Sequence, residues 1–256
     1  MKTKLAAAMI FVTLVFMAGF AHATPSTTYW TPMTPDIQPY GILHIGVDNY
    51  FTVFRKASHS GGSFPTDFGL TMGVLPFEKL QMEVGVDLLE SSDYPWSFNA
   101  KLGTPEDALF KGSPTVQLGI FNVGTKKDVT NQNVVYGVIG KTIPGVGRLS
   151  VGPYIGNSSV LRDSNGNKKN TGVMVAFDRG FIPVKDKDGN EYNKIVLAAD
   201  YASGKNAIGG GGVGLYYYFT KDISLLTGPV WFNDEGINGK WKWTVQLDIN
   251  LPIFGK

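Results

Sequence analysis

The sequence predicts an all-β fold: a closed, antiparallel, up-and-down barrel of about 12 strands that crosses a membrane with strands and not with helices. Three observations predict it. Residues 80–88 alternate without a fault, with Leu80, Met82, Val84, Val86 and Leu88 on one side and Gln81, Glu83, Gly85 and Asp87 on the other. A strand with one oily and one wet face reads this way. The pattern recurs about a dozen times, with acids and lysines on the wet phase. Beyond residue 23 no run of 18 apolar residues occurs. Backbone groups inside a bilayer must then be satisfied between strands, and only a closed barrel does that.

The N-terminus carries Lys2 and Lys4, an apolar run over 5–20 and then Ala21-His22-Ala23, the small-x-small form of a secretory signal cleaved after Ala23. At 16 residues the run is shorter than the roughly 20 that a spanning helix needs. Residues 24–38, with Pro25, Pro32 and Pro35, read as an extended lead-in, and 39–256 as one barrel domain without a linker. Removing the two lysines with the signal leaves 21 basic residues against 21 acidic ones, which argues against nucleic acid or another polyanion as the main partner. Cysteine is absent, so an exported chain of this size must stabilise itself without disulfides, as a closed hydrogen-bonded sheet can.

In chain order, Leu43, Ile45 and Val47 face out and His44, Gly46 and Asp48 face in along the first strand. Strands follow over 68–74, 80–88, 96–102, 116–123, 134–143, 147–155, 171–178, 195–201, 213–219, 223–232 and 241–251. Pro144-Gly145, residues 186–190 and Thr220-Lys221-Asp222 read as turns, and 104–107 as the start of one helical turn. Connections after strands 2, 6 and 10 are short and those after 1, 5, 7, 9 and 11 long and polar, as periplasmic turns and outer loops would be. Those after strands 4 and 8 are the exceptions, long on the short-turn side.

Aromatic residues fall at the strand ends, Phe77 and Phe219 on the short-turn side and Tyr94, Trp96, Tyr201, Trp231, Trp241 and Trp243 on the long-loop side. Together with the signal, the alternating strands and the lack of cysteine, this resembles the small bacterial outer-membrane β-barrel proteins across residues 37–256. The resemblance implies a place in the outer membrane, contact with its lipid and handling by the outer-membrane assembly machinery, while a basic excess of three in the proposed outer loops suits either lipopolysaccharide phosphates or a merely solvated face. One departure concerns assembly. Such barrels usually end in an aromatic residue, whereas this chain continues past Phe254 to Gly255 and Lys256.

Residues expected to line the lumen are His44, Asp48, Glu83, Asp87, Lys101, Asp178, Lys194, Asp200 and Asp248, since a lysine on the lipid side would cost about 2–4 kcal/mol at midplane. Counting from a Leu88–Trp96 pair sets Glu83 opposite Lys101, an ion pair inside the barrel, and a Val74–Leu80 pair would add Thr71 beside the same glutamate. No catalytic, cofactor or metal site is expected. His59 and Ser60 are neighbours that would diverge on a strand, and Gly189 is fourth and not sixth in the 186–191 acidic stretch, unlike a calcium loop.

Function then divides three ways. The leading expectation is a channel or binding site for a small solute. A structural or surface-interaction barrel with a salt-bridged, filled interior is the alternative, and a secreted soluble ligand-binding barrel is the third, opposed by the apolar outer phase. The inner glycines Gly46, Gly69, Gly73, Gly85, Gly119 and Gly152 leave space that larger residues would fill, which favours an open lumen.

Overall fold

The computed structural model describes residues 27–56 and 61–254. The expected signal over 1–23 and the His59-Ser60 pair lie outside them. Twelve strands run in order: β1 (Ile42–Phe51), β2 (Thr66–Gly73), β3 (Gln81–Glu90), β4 (Trp96–Thr104), β5 (Thr115–Gly124), β6 (Asn131–Ile143), β7 (Gly147–Ile155), β8 (Thr171–Lys185), β9 (Glu191–Ala202), β10 (Gly210–Thr220), β11 (Ile223–Phe232) and β12 (Lys242–Pro252). Every strand pairs antiparallel with its sequence neighbours, and β1 pairs with β12 through Ile45–Ile249 and Val47–Leu247, so the barrel closes. Closure leaves no sheet edge to satisfy.

The period-two pattern sets which side chains meet lipid. Val84, Leu118, Ile139, Val151, Val173 and Leu215 are all exposed on the outside, forming with their neighbours an apolar band over the whole circumference. Aromatic rings rim it, with Phe77 and Phe219 exposed at one end and Trp96, Tyr201, Trp231 and Trp241 at the other. An apolar surface of that extent is stable facing hydrocarbon and unstable facing water. Among the described residues no helix is long and apolar enough to cross a membrane. Val84→Arg is therefore expected to destabilise the barrel by about 2–4 kcal/mol in denaturant unfolding from vesicles, and Gln81→Arg, on the wet phase at a strand end, far less. Equal losses would reverse the assigned faces.

The register of β3 and β4 is the expected one: Leu88 pairs with Trp96, Val86 with Phe98, Gly85 with Asn99 and Glu83 with Lys101. Across the other edge of β3 the count shifts by two. Thr71 lies opposite Gly85, and Gly73 opposite Glu83, because the turn is closed by the Val74 amide on the Met82 carbonyl and not by a Val74–Leu80 pair. Thr71 therefore does not serve Glu83 as its strand neighbour. Pro76 has no amide to extend the ladder into this turn.

β8 and β9 run further than their apolar pattern, so the connection after strand 8 contracts to 186–190, a tip in which the Asp186 carboxylate accepts the amides of Asp188 and Asn190. The connection after strand 4 stays long but carries turns and no helix. The helical turn is elsewhere, in α1 (Glu235–Asn238), capped by the Asp234 carboxylate on the Gly236 amide. The same carboxylate takes the Ser164 amide from the β7–β8 loop, a bond that holds its pKa below the ordinary carboxylate range and ties the β7–β8 and β11–β12 loops together.

Residues 27–39 form no regular element, yet Thr28, Tyr29, Thr31, Met33, Thr34, Ile37 and Gln38 are buried almost completely. They lie inside the barrel. The expected lead-in is extended, as the prolines require, but it is part of the folded core.

Candidate functional site

A chain with four prolines between 25 and 39 cannot supply its own hydrogen-bond ladder, so its amides and carbonyls need partners from the wall. The barrel supplies them from inward side chains. On β9 the Asp200 carboxylate accepts the amides of Tyr29 (3.0 Å), Trp30 (2.9 Å) and Thr31 (2.7 Å) and the Thr31 hydroxyl (2.9 Å). Tyr29 donates to the Pro229 carbonyl at 3.1 Å, and its own carbonyl accepts from Gln246 at 3.1 Å. A Cβ at Gly212 or Gly214 would fall on the Tyr29 ring, so these two glycines make its seat.

The segment then crosses the lumen. The Pro35 carbonyl accepts from Gln117 on β5 (2.6 Å), and Asp36 pairs with Arg148 on β7 (2.7 Å). Arg148 holds Asp178 of β8 with the same guanidinium, Nε to Oδ1 at 2.9 Å. The Gln38 amide donates to Glu83 Oε2 at 2.6 Å, while Glu83 Oε1 faces Lys101 Nζ at 3.2 Å. Charge-assisted bonds of this kind contribute roughly 1.5–3 kcal/mol each. Asp200→Ala removes four acceptor contacts at once. It should expose 27–38 to a protease that leaves the wild-type segment intact, and an unchanged digestion pattern would remove Asp200 as its anchor.

What the segment leaves open is a chamber of about 450 Å³ between itself and the wall made by β1–β5. Asp48, Asp67 and Asp87 line it, with Asn99 donating to Asp87 at 3.0 Å. At its floor His44 Nε2 lies 3.3 Å from Asp248, and His44 Nδ1 lies 3.0 Å from Asn250 Oδ1. At its upper end Trp30, Tyr50 and Phe64 form an aromatic cluster, with Trp30 edge-on to Tyr50 at 5.3 Å.

The nine residues expected inside thus separate. His44, Asp48, Glu83, Asp87, Lys101 and Asp248 come together around the chamber. Asp178 and Asp200 lie inside too, but against the internal segment and its arginine. Lys194 does not face the lumen. Ile182 on β8 takes φ +58°, the alternation slips there, and the buried Asn193 occupies the inward position against Gly180. Lys194 instead reaches along the outside, its Nζ 4.9 Å from the centroid of the outward Tyr217 ring.

The inner glycines need a similar correction. A Cβ at Gly73 would strike the backbone of Gln38 and Pro39, at Gly119 the Tyr136 ring, at Gly85 the Asn99 and Thr71 side chains, and at Gly152 the Gly137 backbone. Among those six only Gly46 leaves room outright, and a Cβ at Gly69, its partner across β1 and β2, would meet nothing but the Asp87 carboxylate, at 3.2 Å. Sequence reasoning missed Arg148, although it shares a phase with Ser150, Gly152 and Tyr154, and Asp67, which precedes the expected start of its strand by one residue. Nothing periodic marks Asp36.

No family model matches the sequence, and no curated protein is significantly similar to it. Among solved structures, an outer membrane channel from Pseudomonas putida F1 is similar over 90% of this chain and 100% of its own, at 9% identity and a TM-score of 0.47. The NanC porin covers 80% of this chain with 98% of its own at 8% identity and a TM-score of 0.47. The outer membrane phospholipase A of Escherichia coli covers 84% with 94% of its own at 13% identity and a TM-score of 0.32. In fold, the chain is similar to bacterial outer-membrane β-barrels.

Proposed function

We propose that this protein is a bacterial outer-membrane barrel, exported on a cleaved signal and not an enzyme, which takes a small solute into its lumen. The observation that carries this reading is the chamber of about 450 Å³ beside the internal segment, within the range of small-molecule sites. The apolar outer band and its aromatic rims support a membrane location over that of a secreted soluble barrel. The lysine pairs Lys126-Lys127 and Lys168-Lys169 lie in outer loops, where they would meet lipopolysaccharide phosphates.

The test is fractionation followed by reconstitution. The protein should sediment with outer membranes, migrate faster unheated than boiled on a denaturing gel, and bind or pass small solutes in proteoliposomes. Recovery in the soluble periplasmic fraction would overturn it. A specific observation favours a second reading, a barrel whose interior serves rigidity: towards β7–β12 the lumen is packed by Tyr29, Met33, Tyr216 and the Arg148 ion pairs. Neither binding nor passage of any solute by correctly inserted protein would select that reading.

A further inference from the structure

The chamber is uneven in charge. Asp48 and Asp67 are direct cross-strand partners, and Asp87 pairs with Gly69, two residues from Asp67 on the same face of β2. Like charges set opposite one another repel, and a chain gains nothing structurally by placing them so. No basic side chain is paired with any of the three among the described residues: Lys101 is engaged with Glu83 and Lys242 with the Phe64 and Phe232 rings, and His44 faces Asp248.

A second observation is independent of these charges. Ser97, cross-strand partner of Asp87 and lining the same chamber, is only 5% exposed, and its hydroxyl oxygen has no hydrogen-bond partner among the described residues. A buried polar group left this way is expensive unless something outside the chain completes it. Facing these groups, the Trp30 and Tyr50 rings supply apolar surface and π faces, while Phe64 already carries the Lys242 ammonium 4.3 Å from its ring centroid. Carboxylates at one end and aromatic rings at the other suit a cation with an apolar body. A bare metal ion suits them less, since no three His, Asp or Glu side chains among the described residues are grouped to hold one.

We infer that the chamber is a binding site for a small organic cation, a primary ammonium on a compact apolar body, its N–H groups directed to Asp48, Asp67, Asp87 and the Ser97 hydroxyl. This rests on the reading that the chamber takes a solute, and it names the solute's class. Gly46 and Gly69 keep the space below the carboxylates clear. A Cβ at Gly46 meets nothing nearer than His44 Nε2 at 3.6 Å.

The experiment titrates intact protein in detergent micelles by calorimetry with 2-phenylethylammonium, the neutral 2-phenylethanol and the anionic 3-phenylpropionate. The ammonium should bind at least about tenfold more tightly than the alcohol, and the carboxylate least. Asp67→Asn with Asp87→Asn should bring the ammonium down to the affinity of the alcohol. Gly46→Leu, which changes no charge, should abolish binding of both, and faster unheated migration on a gel verifies that each variant is folded. Equal affinity for ammonium and alcohol, or an ammonium affinity unmoved by the two asparagines, overturns the cation site. Preferential binding of the carboxylate sinks it while leaving a solute-binding lumen standing. Binding of none of the three removes both.

Discussion

Deleting residues 24–38 is expected to convert a barrel that conducts ions poorly into one with a continuous aqueous lumen, read as a large rise in single-channel conductance in planar bilayers. The barrel closes through β1 and β12 without help from the segment, so the sheet survives its removal. Asp200, Arg148 and Glu83 each lose a partner, but the space vacated by Tyr29, Met33 and Ile37 fills with water. Hydration offsets the desolvation cost that would otherwise fall on them. Twelve strands enclose more than the eight whose interior side chains alone fill a barrel, so the opened lumen is wide enough to hold water. Gly212→Val tests the same point with the segment present: its side chain occupies the seat of Tyr29 and should raise conductance in the same direction. Conductance unchanged by both variants would show that the segment is not what closes the lumen.

Arg148→Met should cost about 3–5 kcal/mol of stability, the largest loss expected of any single lumen substitution, because one buried guanidinium holds two carboxylates. Removing it takes from Asp178, 2% exposed, and from Asp36 the guanidinium that both contact. Arg148→Met combined with Asp178→Leu and Asp36→Asn takes the charges away together and should recover most of the loss, since the desolvation cost vanishes with the ion pairs. Lys101→Met should behave likewise on a smaller scale, with Glu83→Gln as its rescuing partner, because Glu83 keeps the Gln38 amide when the lysine is gone. Urea unfolding of the single and combined variants decides it. Losses that simply add would mean that the charges do not interact.

These two expectations rest on contacts that differ in how far the sequence announces them. Glu83–Lys101 is legible by counting from the β3–β4 turn, because a hairpin fixes its register once one pair at the turn is known. The Thr71 placement failed by two residues for the same reason: the turn with Pro76 is wider than a tight hairpin, and an error there carries along the whole strand. Arg148 carried a readable phase but its partner Asp36 did not, since Asp36 lies in a stretch without period. Lys194 obeyed the alternation in sequence and broke it in space, where the left-handed backbone at Ile182 moves Asn193 inward.

By itself, the sequence determined the strands, their inward and outward phase away from the irregular end of β8 and β9, their antiparallel order and the closure of the barrel. These follow from a period of two under the condition that backbone groups in hydrocarbon be paired, both of which are local or nearly local constraints. What fills the barrel was decided only by the tertiary structure. Alternation reports which way a side chain points and not what it meets, and the internal segment is held by partners 45 to 217 residues away, such as Glu83 for Gln38 and Gln246 for Tyr29. A glycine facing inward reads the same in sequence whether it borders water, as Gly46 and Gly69 border the chamber, or lies under another chain segment, as Gly73, Gly212 and Gly214 do.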